Sequence, residues 1–177
     1  MASELGVQTI QHTNGTDALT VGSDGSVTLA SKLLLSGQTE WPAFRVGNNS
    51  DISVTATGDQ TVNWQNTSTN GNFIQGGFTY SSGTFTVPVT GLYSISFSYD
   101  IRDLGSGYVI GRTWVNGNYR LYVIDGSIAP DYGNLTGSTV LKLTAGDTFY
   151  YTTISSTDAS YKVAGDSSAA CHLIVPE

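Results

Sequence analysis

The residues best equipped for chemistry are few, and their placement works against most reactions. The histidines are His12 and His172, and the single cysteine is Cys171. Cys171 and His172 are neighbours in Ala169–Val175, a stretch that reads as a strand. Adjacent side chains of a strand point to opposite faces, so this thiol and imidazole cannot form a nucleophile–base pair. No Gly-x-Ser-x-Gly elbow occurs. Gly105-Ser106-Gly107 is a fragment of a glycine-rich loop, but a strand follows it where a phosphate cradle needs a helix N-terminus. Glycoside hydrolysis asks only for two carboxylates at a set separation, which a sequence leaves open. The reading is of a non-enzyme. No His/Cys spacing suits zinc or iron. Calcium needs clustered oxygen ligands. Asp103, Asp125 and Asp166 are weak candidates, with no Asp-x-Asp-x-Asp run to gather them. They read as solvated turn aspartates, and the chain as cofactor-free.

What remains is contact chemistry. Asp131, Tyr132, Asn134, Asp158, Tyr161 and Lys162 fall in two long polar stretches, 125–136 and 155–168. Tyrosine gives flat contact area at low entropic cost, and Asn, Asp and Lys give adaptable hydrogen bonding, which suits a ligand-binding surface.

Such loops need a scaffold. The segment from Gly91 to Ile101 alternates: Tyr93, Ile95, Phe97, Tyr99 and Ile101 share one side of an extended chain, and Leu92, Ser94, Ser96, Ser98 and Asp100 the other. A helix would scatter those five apolar residues around its circumference. They read as core, with a residue near the start of the strand, such as Tyr93, able to touch neighbouring chains in an oligomer. Asn116-Gly117 between 108–115 and 118–124 is a hairpin signal, because both central residues of a type I′ turn need positive φ. Further strands read over 42–46, 52–57, 61–65, 78–80, 84–87, 139–143, 148–154 and 169–175, with 66–77 as a polar loop. Successive antiparallel strands reverse direction. The tight connections 88–91, 116–117 and 144–147 therefore fall at one end, with the chain termini. The long ones, 102–107, 125–138, 155–168 and the 47–83 excursion, fall at the other, where binding is expected.

Several motifs carry a family resemblance. Phe85, five residues, Gly91-Leu92-Tyr93 and then Phe97 resembles the core motif of the C1q globular head, a branch of the tumour necrosis factor-like jelly rolls. Phe78 stands seven residues before Phe85, as in that motif. Val140-Leu141-Lys142-Leu143 before Ala145-Gly146-Asp147, the closing stretch from Cys171 to Glu177, and Trp41-Pro42-Ala43-Phe44 are similar to other parts of the family pattern. The resemblance covers roughly residues 41–177. It departs at Ile95, where an aromatic is usual, and at Phe73, where Asn or Asp is usual and Asn72 stands one place off. The resemblance implies a ten-strand antiparallel jelly-roll sandwich, assembled as a homotrimer with some residues of the set Tyr93, Ile95, Phe97 and Tyr99 along its axis.

Composition agrees with an all-β chain. Charged residues are only 12%, while hydrophobic ones reach 39%, enough for a core. The formal charge of -7 argues against nucleic acid or anionic membrane as partner, since both need a basic footprint. No apolar run approaches the ~20 residues of a membrane helix, and MASELGVQTI shows no secretory pattern. Sequons at Asn14, Asn48, Asn66 and Asn134 matter only in a glycosylating host.

Residues 1–40 read as an oligomer-forming stem, and 41–177 as the head. Short alternating strands at 18–21 and 26–29 flank the turn Gly22–Gly25, and each offers too little apolar surface to fold alone. The block Asn14–Leu29 resembles repeats that precede adhesive heads in bacteriophage tail fibres. Together these readings point to the trimeric receptor-binding head of a virion tail fibre, which grips a host-surface glycan or protein through apical loops. The alternatives are an extracellular, secreted or surface C1q-like protein-binding module, and a structural virion cap.

Overall fold

The computed structural model describes residues 9–11, 17–29, 40–55, 58–65, 67–104, 107–125, 132–155 and 160–177. Contacts divide the chain into two units, Met1–Gly37 and Gln38–Glu177. The first is a small antiparallel sheet of β1 (Thr9–Gln11), β2 (Asp17–Val21) and β3 (Val27–Leu29), in that order. The Gly22 N–H donates to the Ser26 carbonyl (2.7 Å), and the Asp24 carboxylate accepts from the Ser26 N–H (2.9 Å), which closes the β2–β3 turn. His12, Asn14 and the Leu33-Leu34-Leu35 cluster lie outside the described residues.

The second unit is a two-sheet sandwich of β4 (Ala43–Gly47), β5 (Ile52–Val54), β6 (Gln60–Thr61), β7 (Phe73–Gln75), β8 (Thr79–Ser81), β9 (Thr84–Thr86), β10 (Gly91–Arg102), β11 (Val109–Val115), β12 (Asn118–Asp125), β13 (Tyr132–Leu143), β14 (Thr148–Ser155), β15 (Tyr161–Val163) and β16 (Ser168–Pro176). One sheet runs β5-β15-β10-β16-β4-β7, with β13 on the free side of β10. The other runs β12-β11-β14-β9-β8, with β6 beside β14. No helix is assigned among the described residues.

β10 holds the first sheet together. It pairs with β13 over its full length, from Gly91↔Leu143 to Arg102↔Tyr132. Its other edge pairs with β16 and then, at the far end, with β15. Tyr93, Ile95, Phe97, Tyr99 and Ile101 all point inward and are buried. Across the sandwich they meet an aromatic core. Phe44 and Phe85 stack at 4.0 Å, Phe78 stands edge-on to Phe44, and Trp64 lies between Tyr99 and Tyr151 at 6.0 Å from each. Phe97 fits because two strand glycines face it. A Cβ on Gly111 would come within 2.7 Å of its ring, and one on Gly137 within 2.8 Å.

The tight turns are bonded to one another. The Val87 N–H donates to Asp147 and the Gly146 N–H to Val87; the Asn116 amide bonds the Asp147 carboxylate (2.8 Å); the Glu177 N–H donates to Thr90. Asn116 and Gly117 both have positive φ, 48° and 77°, as the type I′ turn requires. The opposite, apical end gathers the strand ends around Arg102, Tyr132 and Lys162.

Three sequence expectations need correction. The region expected as loop 125–136 enters β13 at Tyr132, because Leu135 packs into the core opposite Tyr99 and the long β10 edge carries the Gly- and Asn-rich stretch with it. The loops 66–77 and 155–168 contain β7 and β15, so the described head has thirteen strands rather than ten. The excursion from 47 to 83 is not confined to the apex. It returns to the tight-turn end, where a Cβ on Gly76 (φ 65°) would strike the backbone of Pro42 at 2.4 Å.

Candidate functional site at the apical corner

Even-numbered residues of β10 face outward, and the last two are charged. Asp100 and Arg102 are two residues apart, hence on one face, and the Arg102 Nη2 donates to the Asp100 carboxylate at 2.7 Å. The same nitrogen reaches Asp166 at 3.1 Å, and Nη1 lies 3.8 Å from Asp51. Three carboxylates thus converge on one guanidinium. Asp51 also accepts the Gly165 N–H (3.0 Å), which ties the corner to the turn before β16. The hydrogen bond to Asp100, together with the charges of Asp100, Asp51 and Asp166, raises the Arg102 pKa above its ordinary value.

Register places the predicted contact residues around this centre. Arg102 pairs with Tyr132 on one side and Lys162 on the other, and Asp100 pairs with Asn134. The Tyr132 ring is 66% exposed, with the Arg102 guanidinium 5.8 Å from its centroid. Lys162 bonds Asp103 at 2.6 Å, and that hydrogen bond raises the lysine pKa. Asp103 takes φ 61°, a left-handed conformation that carboxamide and carboxylate residues adopt more readily than most. A cleft of about 200 Å³ opens beside the pair, lined by Ser53, Thr55, Asp103, Ser160, Tyr161 and Lys162.

Tyr132, Asn134 and Lys162 are therefore brought together, on strand ends rather than in loops. Tyr161 differs. It is 2% exposed and donates its hydroxyl to Thr153 Oγ1 (2.7 Å), so it floors the cleft and packs as core. The odd residues of β15 point inward, Val163 included. Asp131, Asp158 and the Asp125 side chain lie outside the described residues. Of the calcium candidates, Asp103 is paired with Lys162 and Asp166 with Arg102. Among the described residues no three His, Cys, Asp or Glu side chains gather as a metal-binding set. Tyr93, Ile95, Phe97 and Tyr99 are core residues of the single chain; Tyr93 donates its hydroxyl to the Val89 carbonyl (2.7 Å). The residues sequence reading missed are Arg102, Asp100 and Asp51. The first two were legible as the outward, charged end of the β10 alternation. Asp51 was not, because only the fold brings it there.

The architecture is that of an all-β sandwich. The C1q domain family model matches residues 43–173, and the chain belongs to that family. Domains of this family are generally non-enzymatic binding or structural modules. The fold is similar to the globular domain of zebrafish complement 1qA protein, with a TM-score of 0.56 and 21% identity over 77% of this chain and 99% of that one. Comparison with curated protein sequences returns no match. The family departure noted at Phe73 has a structural counterpart. Asn72 is buried and accepts from Arg45 (2.8 Å), while Phe73 is exposed.

Proposed function

We propose that the head is a non-enzymatic, extracellular C1q-like module that works as a homotrimer and binds a protein partner through its apical corner. The observation that carries this reading is the gradient along the outer face of the first sheet. At the tight-turn end that face exposes Leu92, Val140 and Val175. Its middle is a shallow groove of about 330 Å³ lined by small side chains such as Ser96, Ser98, Ser138 and Ala170. Its apical end carries Asp100, Arg102, Tyr132 and Lys162. Apolar surface and small residues favour close association of chains. The charged, tyrosine-bearing end favours a polar partner, held by several copies at once.

Sedimentation of the full chain tests assembly. A mass three times 18.7 kDa is expected, falling to that of one chain for Val140→Asp; a monomeric parent protein would refute the assembly. Binding of the labelled protein to cells tests the apex. Tyr132→Ala with Lys162→Glu should abolish it, and undiminished binding would remove the apex from the account.

A second reading is favoured by the separate β1–β3 unit and the Asn14–Leu29 block. It makes the chain the receptor-binding end of a virion tail fibre, with a host glycan or protein as target. Attachment to bacterial hosts, but not to animal cells or matrix proteins, would select it. The 1–40 segment is then a stem, and its removal should weaken assembly.

A further inference from the structure

The outer face of the second sheet carries a cluster that the apical site does not use. β12 pairs with β11 through a bulge: Trp114 faces Tyr119, but Thr113 faces Leu121, so Arg120 is the extra residue. A bulge re-aims the side chains around it. Here it places Tyr119 and Tyr122, three residues apart, on the same outward face, with Leu121 between them opposite the buried Thr113. Trp114 and Tyr150 are cross-strand neighbours on that face, their rings parallel within 3° at 6.0 Å. Tyr119 stands nearly perpendicular to Trp114 at 5.7 Å and lies 6.2 Å from Tyr122.

The floor is fixed. The Arg112 guanidinium sits 5.5 Å from the Tyr119 ring centroid and 5.3 Å from that of Tyr122, and it bonds Asp59 at 2.6 Å. Asp59 accepts from the Thr152 hydroxyl (2.9 Å), which accepts from the Trp114 indole N–H (2.9 Å). Rings this well braced lose little entropy on contact. Tyr119 is 58% and Tyr122 44% exposed, and Trp114 and Tyr150 are half-buried beside them, so the cluster opens to solvent on its Tyr119–Tyr122 side.

Its chemistry selects the ligand. Ring faces carry negative potential. Arg112 already occupies the cation position between two of them, and its own charge is offset by Asp59. What the faces still complement is an uncharged partner with polarised C–H bonds. Single-stranded nucleic acid needs a basic groove beside its stacking rings, and this chain carries a formal charge of -7. Polyproline peptides dock into aromatic-lined grooves, and the tryptophan N–H that would bond a peptide carbonyl there is spent on Thr152. The bracing network uses none of the phenol hydroxyls of Tyr119, Tyr122 and Tyr150. Ring faces rimmed by hydroxyls, each both donor and acceptor, fit a sugar.

We propose that Trp114, Tyr119, Tyr122 and Tyr150 form a binding platform for neutral carbohydrate, on which the C–H face of a pyranose ring stacks while its hydroxyls bond the tyrosine rim. The site is separate from the apical corner and does not depend on the reading given to that corner.

The test is titration of the full chain with cellohexaose, chitohexaose, maltohexaose and laminarihexaose, each to about 1 mM, the weak end of the affinity scale. The readout is the indole N–H resonance of Trp114, assigned by its loss in Trp114→Phe. At least one sugar should shift this resonance saturably. Tyr119→Ala and Tyr122→Ala, both at exposed positions that leave the core untouched, should each weaken binding about tenfold. Tyr132→Ala at the apex should leave binding unchanged. If none of the four sugars moves the Trp114 resonance, or if Tyr119→Ala with Tyr122→Ala binds as the parent does, the platform is not a carbohydrate site.

Discussion

Removing a hydroxyl should stabilise this protein at two tyrosines and destabilise it at a third. Tyr99 and Tyr151 are fully buried against Trp64, and neither phenol oxygen has a hydrogen-bond partner among the described residues. Burial pushes both phenols well above the usual tyrosine pKa, which reports the same desolvation. A buried, unpaired hydroxyl costs about 1–3 kcal/mol. Phenylalanine keeps the ring and its stacking while removing that cost, less the contacts of one oxygen atom, so Tyr99→Phe and Tyr151→Phe should each gain roughly 1 kcal/mol. Tyr161 is the control. Its hydroxyl donates to Thr153 Oγ1 at 2.7 Å in a buried site. Tyr161→Phe loses that bond and strands the threonine oxygen, a loss of about 1–3 kcal/mol. Urea unfolding followed by tryptophan fluorescence, at one fixed chain concentration so that the proposed assembly contributes equally to every variant, gives the midpoints. The slopes should not change, since each substitution alters one atom. Should Tyr99→Phe and Tyr151→Phe both lose about 1 kcal/mol or more, their hydroxyls are satisfied by trapped water, and the desolvation argument fails.

Alkaline pH should unfold the head. Tyr93 and Tyr161 are raised to about 12 by burial, and the buried Cys171 thiol is raised too. A phenol that ionises near 10 when unfolded but near 12 when folded leaves the unfolded state with fewer protons in between. Stability is then intact below pH 10 and falls by about 1.4 kcal/mol per pH unit per tyrosine above it. A flat urea midpoint from pH 9 to 11.5 would contradict this. Gly111→Ala should cost about 1–3 kcal/mol by overpacking, because the new methyl meets Phe97 at 2.7 Å and Tyr99 at 3.1 Å; Gly111→Ala with Phe97→Leu should recover part of it, and no recovery would mean the strain lies elsewhere. Arg102→Gln leaves Asp51, Asp100 and Asp166 facing one another without their cation. The variant should melt lower than the parent and regain stability with millimolar calcium while the parent does not respond; equal responses would show that the three carboxylates do not act as a group.

The legible part of this fold was what alternation and turn chemistry encode. The β10 run, the Asn116-Gly117 turn and the clustering of the tight turns follow from residue type and spacing, and the structure has them where they were read, whereas the excursion from 47 to 83, read as apical, returns to the tight-turn end. Edge strands were less legible. Among the described residues Tyr161–Val163 pairs only with the last two residues of β10 and with β5, so its three residues carry no pattern of their own, and Tyr161 read as loop when it is core. β13 was half seen. Its Val140–Leu143 end has strand composition, while Tyr132–Ser138 holds two glycines and an asparagine and is extended only because β10 offers a full-length edge.

The aromatic platform shows a sharper limit. Period-two reading assigns faces by counting, and a single extra residue reverses the count. From the hairpin turn onward, strict alternation would put Tyr119, Leu121 and Val123 on one face, with Arg120 and Tyr122 on the other. The bulge at Arg120 overturns this. Leu121 comes opposite Thr113 and Val123 opposite Gly111, whose partners line the core, and Tyr122 turns outward to join Tyr119. Val123 indeed lies within 2.9 Å of where a Cβ on Gly137 would stand, beside the Phe97 ring. The burial demanded by Leu121 and Val123 thus selects the bulge, since the unbulged register would send both to solvent and an arginine and a tyrosine inward. The exposed tyrosine pair then arises from core packing: whatever that face binds, the sandwich must first accommodate the extra residue that puts it there.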